Sequence, residues 1–268
     1  MDISCRVSVM LATGYSVHDG RKSAVEMMQT EKDERVYRFS DDDAATKEAL
    51  RDYYDRFYGE SEFQYYDERT TEKFLGSLLR KAGARPGGTV LDVGCATGYY
   101  TECLRRIGMK SVGIDLSQVG ILKGHAKYPG TLLSVGDGSN VPYKENAFDI
   151  IYMLGCSLTN TRNTDAISSY LTYLTRFLTE DGVLIFLGGS DFSGGTAGKS
   201  EWIYHGYHDI LRFVDHQRVD ADGPYITNLK LISKLGGVAL TTAFSMIARK
   251  LPGRRTWTIV YFIRKKKS

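Results

Sequence analysis

Four cysteines without a CxxC pair leave this 268-residue chain lacking the spacing of a zinc site or a disulfide framework. Cys5, Cys95, Cys103 and Cys156 therefore read as reduced thiols, and the expected compartment is the cytoplasm. No apolar run approaches the roughly 20 residues of a transmembrane helix. The opening "MDISCRVSVMLATGYSVHDG" has no basic lead and no cleavage signal. Charge of one sign is not in excess either. The 35 basic and 32 acidic residues give a net +3, too little to argue for nucleic acid or a membrane surface. What is present is ordinary for a folded domain: 42% hydrophobic and 25% charged residues, in a chain long enough for a sizeable core.

Residues 1–45 read as an N-terminal extension, expected to be flexible. Ser40, followed by three aspartates, predicts a helix start, because its side chain can cap free N–H groups and acids suit that end. Phe74, Leu75, Leu78, Leu79 and Ala82 recur at helical spacing until "GARPGG" ends the run. Short apolar segments then alternate with helical ones. Strands are predicted at 89–93, 111–115, 131–135, 148–154 and 182–187, and helices at 99–107, 118–127 and 164–178. This alternation implies βαβ crossovers and a parallel, doubly wound α/β sheet. A Gly/Ser-rich loop and the aromatic "EWIYHGYHDILRFV" interrupt it across 188–225. A helix is expected over 226–235, and "VALTTAFSMI" and "TWTIVYFIR" are expected to form an antiparallel hairpin around "ARKLPGRR".

The segment "VLDVGCATGYY" places small residues directly after the first strand. Such a turn bares backbone to a ligand at the C-terminal tip of a sheet. It is neither G-x-G-x-x-G nor a Walker loop, since position 96 is Ala and the Walker lysine is missing. Asp115 ends the second strand 17 residues after Gly98, where a carboxylate can accept from two ribose hydroxyls. Asp137 follows the third strand in "GDG", placed to accept from an exocyclic amine while the Gly138 N–H meets a ring nitrogen.

Together "VLDVGCATG", "VGIDLS", "GDGSNVPYKENAFDIIYM" and "LTEDGVLIF" resemble the successive motifs of class I S-adenosylmethionine-dependent methyltransferases of the small-molecule type. The match covers about residues 85–187, in order. It implies a Rossmann-like, three-layer αβα fold, with a seven-stranded sheet that is mostly parallel and has an antiparallel last strand. It also implies S-adenosylmethionine as cofactor, with S-adenosylhomocysteine as product and no metal. By that resemblance Gly94, Cys95, Ala96 and Gly98 line the methionine portion, and Asp92 orients its amino-acid end. Asp115 holds the ribose, Asp137 and Gly138 read the adenine, Leu116 packs on the adenine face, and Leu154 joins the cofactor side. Ala96 departs from the glycine that many members carry there.

Residues 46–84 resemble the N-terminal lid helices of such enzymes, with Tyr58, Tyr66 and Arg69 as candidates to close over the cofactor. Residues 85–268 would form the cofactor-binding domain, and 188–225 a cap over the acceptor. Methyl transfer needs positioning more than a nucleophile, and a base only where the acceptor must lose a proton. His205 and His208, among Trp202, Tyr204 and Tyr207, are the candidate bases, ahead of His125 and His216. Cys156, in "LGCSLTNTR", reads as packing. The expected partner is a small-molecule acceptor, not nucleic acid, with no membrane insertion. One alternative is RNA or protein methylation through the basic clusters at Arg249, Lys250, Arg254 and Arg255 and at Arg264–Lys267. The other is a non-catalytic cofactor-binding partner protein.

Overall fold

The computed structural model of the chain describes residues 44–61, 63, 66–195, 202–227, 232, 237, 238, 242 and 257–267. Residues 1–43, including the expected cap at Ser40, and the basic cluster at 249–255 lie outside them.

Helix α1 spans Ala44–Glu60 and α2 spans Glu68–Ala82. The Asp67 side chain accepts from Thr70 N at 2.9 Å to start α2, and Gly83, left-handed at φ 75°, ends it. The alternation expected from the sequence then follows: β1 (Thr89–Val93), α3 (Tyr99–Arg106), β2 (Lys110–Asp115), α4 (Gln118–Lys127), β3 (Leu132–Val135), β4 (Phe148–Leu154), α5 (Thr164–Thr175) and β5 (Leu178–Ser190). A short helix α6 (Tyr207–Leu211) and strands β6 (Val219–Thr227) and β7 (Trp257–Lys265) complete the description. The seven strands form one sheet in the order β3-β2-β1-β4-β5-β7-β6. β1 through β5 pair in parallel, and β7 runs antiparallel to both β5 and β6. No helix among the described residues is long and apolar enough to cross a membrane.

Side chains alternate across the pleat, so each strand feeds two cores. Val90, Ile150, Val183 and Phe262 pack with Phe74, Leu75 and Leu78 of α2 and Leu104 of α3. Leu91, Val93, Ile151, Leu184 and Tyr261 pack with Ile167, Tyr170 and Leu171 of α5. Fully burying each such aliphatic or aromatic side chain stabilises by about 1.5–3 kcal/mol. α2 therefore belongs to the body of the fold and covers one face of the sheet.

The C-terminal third departs from the expectation in three places. β7 pairs with β5 and β6 rather than with 238–247, and the described residues of that segment, Val238 and Thr242, are helical. Thr242 Oγ1 there donates back to the Val238 carbonyl at 3.0 Å, the i−4 bond of a helix. Residues 226 and 227 belong to β6, where Ile226 faces Ile259 in the ladder, so no helix starts there. The cap expected over 188–225 shrinks because β5 continues to Ser190 and β6 begins at Val219.

Candidate active site

The sheet order reverses beside β1, whose neighbours are β2 and β4, and the crevice of a doubly wound sheet opens at such a point. The loop leaving β1 is left-handed at Gly94 (φ 74°), Ala96 (φ 55°) and Gly98 (φ 77°). Two amides, Gly94 N and Cys95 N, donate to the Ile114 carbonyl at 2.9 and 3.0 Å. Ala96 N donates to Asp115 Oδ2 at 2.9 Å, so the tip of β2 dictates the shape of the loop. Ala96 pays the left-handed strain that glycine avoids. Ala96→Gly is expected to stabilise the fold by roughly 0.5–1 kcal/mol, after subtracting the added freedom of glycine in the unfolded chain. A rise in the urea midpoint at unchanged slope checks it.

Asp115 is enclosed by this loop. Its Oδ1 accepts from Ser117 N at 2.9 Å, and burial raises its carboxyl above the ordinary value against these amide bonds. Asp92 is buried deeper, at 3% exposure, on the face toward α3. Thr101 Oγ1 of α3 donates to Asp92 Oδ2 at 2.6 Å. Burial, with the charge of Asp115 adding to it, pushes the Asp92 carboxyl up to about 7. Its register neighbours are Tyr152 on β4 and Gly113 on β2. A Cβ at Gly113 would lie 2.7 Å from both Cys95 Sγ and Thr101 Oγ1, so only glycine lets the loop and α3 close over Asp92.

Asp137 sits beyond the tip of β3. Its Oδ1 accepts from Ser139 N and Ser139 Oγ, each at 2.7 Å, and its Oδ2 lies 3.1 Å from Lys47 Nζ of α1. Burial pulls its carboxyl upward, but the Ser139 bonds and the Lys47 ammonium outweigh this and hold it below the usual value. The backbone at Gly138 lies against α5. Tyr170 OH donates to its carbonyl at 3.2 Å, and a Cβ there would come within 3.0 Å of the same hydroxyl. Leu116 is half-buried between Asp115 and the start of α4.

From β4, Leu154 leads into Gly155, left-handed at φ 59°, and then Cys156. Cys156 Sγ would stand 3.5 Å from a Cβ at Gly94, which places the thiol inside the crevice. Burial pushes it up to about 12, so it stays protonated at neutral pH.

Helix α1 crosses the strand tips. Besides Lys47, Tyr54 OH meets Ser157 Oγ at 2.9 Å, and Asp55 Oδ1 accepts from Ser117 Oγ at 2.5 Å and Val119 N at 3.1 Å. Tyr58, at 2% exposure, packs on Gly120, where a Cβ would come within 2.9 Å of its ring. The structure therefore gathers Asp92, Gly94, Cys95, Ala96, Gly98, Asp115, Leu116, Asp137, Gly138, Leu154 and Tyr58 around one crevice. It does not bring Tyr66 and Arg69 there. Tyr66 is buried with Phe74 and Tyr99, its carbonyl accepting from Tyr99 OH at 2.5 Å, and Arg69 is exposed in the first turn of α2. Sequence reasoning passed over Lys47, Tyr54 and Asp55. They recur with Tyr58 at i, i+7, i+8 and i+11, which is one helix face, and that spacing was the available signal.

The two candidate histidines separate in the segment between β5 and β6. His208 is exposed on α6. His205 is 92% buried, stacked edge-on against Phe213 at 4.8 Å, with its backbone carbonyl held by Ser190 Oγ at 2.6 Å. One ring nitrogen bonds the Thr161 backbone, while Nε2 is buried with no hydrogen-bond partner among the described residues. Burial holds its imidazole below the ordinary value and so neutral at pH 7. His125 and His216 are exposed on α4 and before β6. The basic C-terminal run is occupied locally: Arg264 reaches the Ala82 carbonyl at 3.1 Å, Lys265 reaches Asn146, Lys266 the His216 carbonyl, and Lys267 Asp181.

A class I cofactor fits these residues on three observations. The loop presents bare backbone between two left-handed glycines, and acids follow two neighbouring strands. Thr97 Oγ1 and Tyr152 OH, next to the loop and beside Asp92, are buried without hydrogen-bond partners among the described residues.

A family described as a methyltransferase domain matches residues 91–186. The chain is 28% identical over 168 residues to a malonyl-[acyl-carrier protein] O-methyltransferase of Pectobacterium atrosepticum, covering 63% of this chain and 61% of that one. It is 28% identical over 138 residues to a demethylmenaquinone methyltransferase of Renibacterium salmoninarum, covering 51% and 55%. The chain thus spans less than two thirds of the length of these curated relatives. A crystal structure of an S-adenosylmethionine-dependent methyltransferase from Clostridium acetobutylicum superposes with a TM-score of 0.55 at 17% identity, covering 82% of this chain and 99% of that one, which shows the same fold. The motif order of residues 91–186 and the sheet that carries it are thus similar to those of the methyltransferase domain family.

Proposed function

We propose that this chain transfers a methyl group from S-adenosylmethionine to a small-molecule acceptor. The observation that carries the reading is the lock between Ala96 N and Asp115 Oδ2, which shapes a backbone cradle around an acid at a strand tip. When bound, the cofactor supplies a methyl group already activated by its sulfonium. Gly94 to Gly98 would hold its methionine portion, with Asp92 facing the ammonium end. Asp115 would accept from the ribose hydroxyls, and Asp137 with the Gly138 amide would take the adenine edge.

The chain's own contribution is to orient the acceptor and exclude water, and such positioning is worth about 7–11 kcal/mol. Trp202, whose ring would pass 3.9 Å from a Cβ at Gly155, forms a wall on the acceptor side, with Tyr54 and Ser157 at the mouth. His205 is the base in this reading, since its neutral Nε2 can take a proton where the acceptor must release one. The relatives named for malonyl-[acyl-carrier protein] and demethylmenaquinone support a small acceptor group. So do the local contacts of the basic C-terminal residues, which leave Lys265 to Lys267 engaged with the protein itself.

The test incubates the full chain with methyl-labelled S-adenosylmethionine and separated pools of metabolites, tRNA and protein. Label is expected in the metabolite pool. There, His205→Gln should lower kcat and flatten the pH profile while S-adenosylhomocysteine binds as before. Label confined to a macromolecular pool, or binding without turnover, overturns the reading.

A further inference from the structure

The two oxygens of Asp137 are unequally free. Oδ1 is engaged twice by Ser139, through N and Oγ at 2.7 Å each, which fixes the rotamer. Oδ2 is left by Ser139 to other donors, and it holds the Lys47 ammonium at 3.1 Å. Lys47 stands on the helix whose other anchors, Tyr54 to Ser157 and Asp55 to Ser117 and Val119, fasten it to the segments after β4 and β2. α1 is therefore pinned beyond three strand tips of the same sheet, and only the pin at Asp137 uses an atom that the proposed cofactor needs.

We propose that Lys47 competes with the exocyclic amine of the cofactor for Asp137 Oδ2, making α1 a latch that closes the crevice in the free protein and yields when adenine binds. This rests on the reading of Asp137 as the adenine acid. An amine donor and an ammonium donor seek the same oxygen, and the rotamer fixed by Ser139 prevents the carboxylate from turning its other oxygen to one of them. The pair is partly exposed, with side chains 32% and 28% accessible, so its worth is modest and screened by salt. Such a contact can hold a helix in place and still be displaced by a ligand. The Asp55 and Tyr54 anchors touch Ser117 and Ser157 rather than the adenine acid, so α1 can stay hinged on them while its N-terminal half lifts.

The experiment titrates S-adenosylhomocysteine into the full chain and its Lys47→Met and Lys47→Gln variants by calorimetry, at low and high salt. Hydrogen exchange of the α1 amides is followed without ligand. Both variants should bind about two- to fivefold more tightly than the wild type, the size set by a partly exposed ion pair. The wild type should gain affinity with salt while the variants do not. Amides in the N-terminal half of α1 should exchange faster once Lys47 is replaced. Equal or weaker binding by both variants, with unchanged exchange, overturns the latch while leaving the cofactor site standing. Absence of binding in the wild type and both variants overturns the cofactor reading, and the latch falls with it.

Discussion

Asp115→Ala is expected to weaken binding of S-adenosylhomocysteine by about 100-fold or more, the largest single effect of any substitution in the crevice. A carboxylate accepting from two ribose hydroxyls makes two charge-assisted bonds, each worth about 1.5–3 kcal/mol. Alanine also removes the acceptor of Ala96 N and Ser117 N, both at 2.9 Å, so the loop loses its template along with the ligand contact. Asp115→Asn is a milder change. It keeps one carbonyl oxygen for a backbone amide but sets an NH2 donor against the other amide and gives up the charge, so binding should fall by at least roughly tenfold with the loop loosened on one side. Calorimetric titration checks both variants, with thermal melting to confirm that each is folded. Affinity within threefold of the wild type in the folded alanine variant would remove Asp115 from the site.

Asp92→Asn should do the opposite to stability and the same to binding. The Asp92 carboxyl is raised from 3.8 to about 7, chiefly by burial. A raised acid means that the folded chain holds its proton over a pH range in which the unfolded chain has released it. Stability therefore falls as pH rises from about 4 to about 7, then levels off. Asparagine mimics the protonated form, and the Thr101 hydroxyl can turn to satisfy either side-chain atom. The cofactor-free variant should match the wild type near pH 4 and exceed it at pH 8 by on the order of 2–4 kcal/mol. Asp115, also raised by burial, leaves a residual slope in both proteins. Unfolding midpoints measured from pH 4 to pH 8 decide the matter, and parallel curves would refute the assignment. In the proposed reading, binding should drop by about tenfold, since the anion set against the ammonium end is gone. Under that reading Asp92 weakens the free protein at neutral pH and serves the ligand, a trade expected of a binding group.

How much of this could be read from the chain alone differs by region, for physical reasons. The positions of Asp92, Asp115 and Asp137 at strand ends were legible because parallel strands are nearly all apolar, so an acid in or just beyond one stands out. The roles of Lys47, Tyr54 and Asp55 were not. Periodicity shows that a helix has a face, but only the path of the chain decides which strand tips that face meets. Tyr66 looked equivalent to Tyr58 in the same aromatic stretch, yet one packs on Gly120 and the other beneath Tyr99. At the C-terminal end, "VALTTAFSMI" carries apolar residues at both helical and strand spacing, and the eye follows its β-branched content. The outer partner of β7, "VDADGPYIT", hides its strand character. It is an edge strand with aspartates at 220 and 222 and a register shift at Gly223 and Pro224, the polar and irregular makeup that keeps edges from pairing with other chains. The difference between His205 and His208 was likewise invisible, because only three residues of sequence separate the buried ring from the exposed one.

The place of β7 has a consequence for how the molecule is made. Although it comes after β6 in the chain, it lies between β5 and β6 and is hydrogen-bonded to both. During synthesis the first five strands can assemble in order as they emerge from the ribosome. β6, once extruded, has no ladder to join until residues 257–265 follow it out. Until then β5 presents a bare edge of apolar residues, including Leu184, Phe186 and Leu187, and the nascent chain is at its most exposed to wrong partners and to chaperones. The last strand is thus the keystone of the sheet, and closing it is the long-range step that should set the folding time of the whole chain.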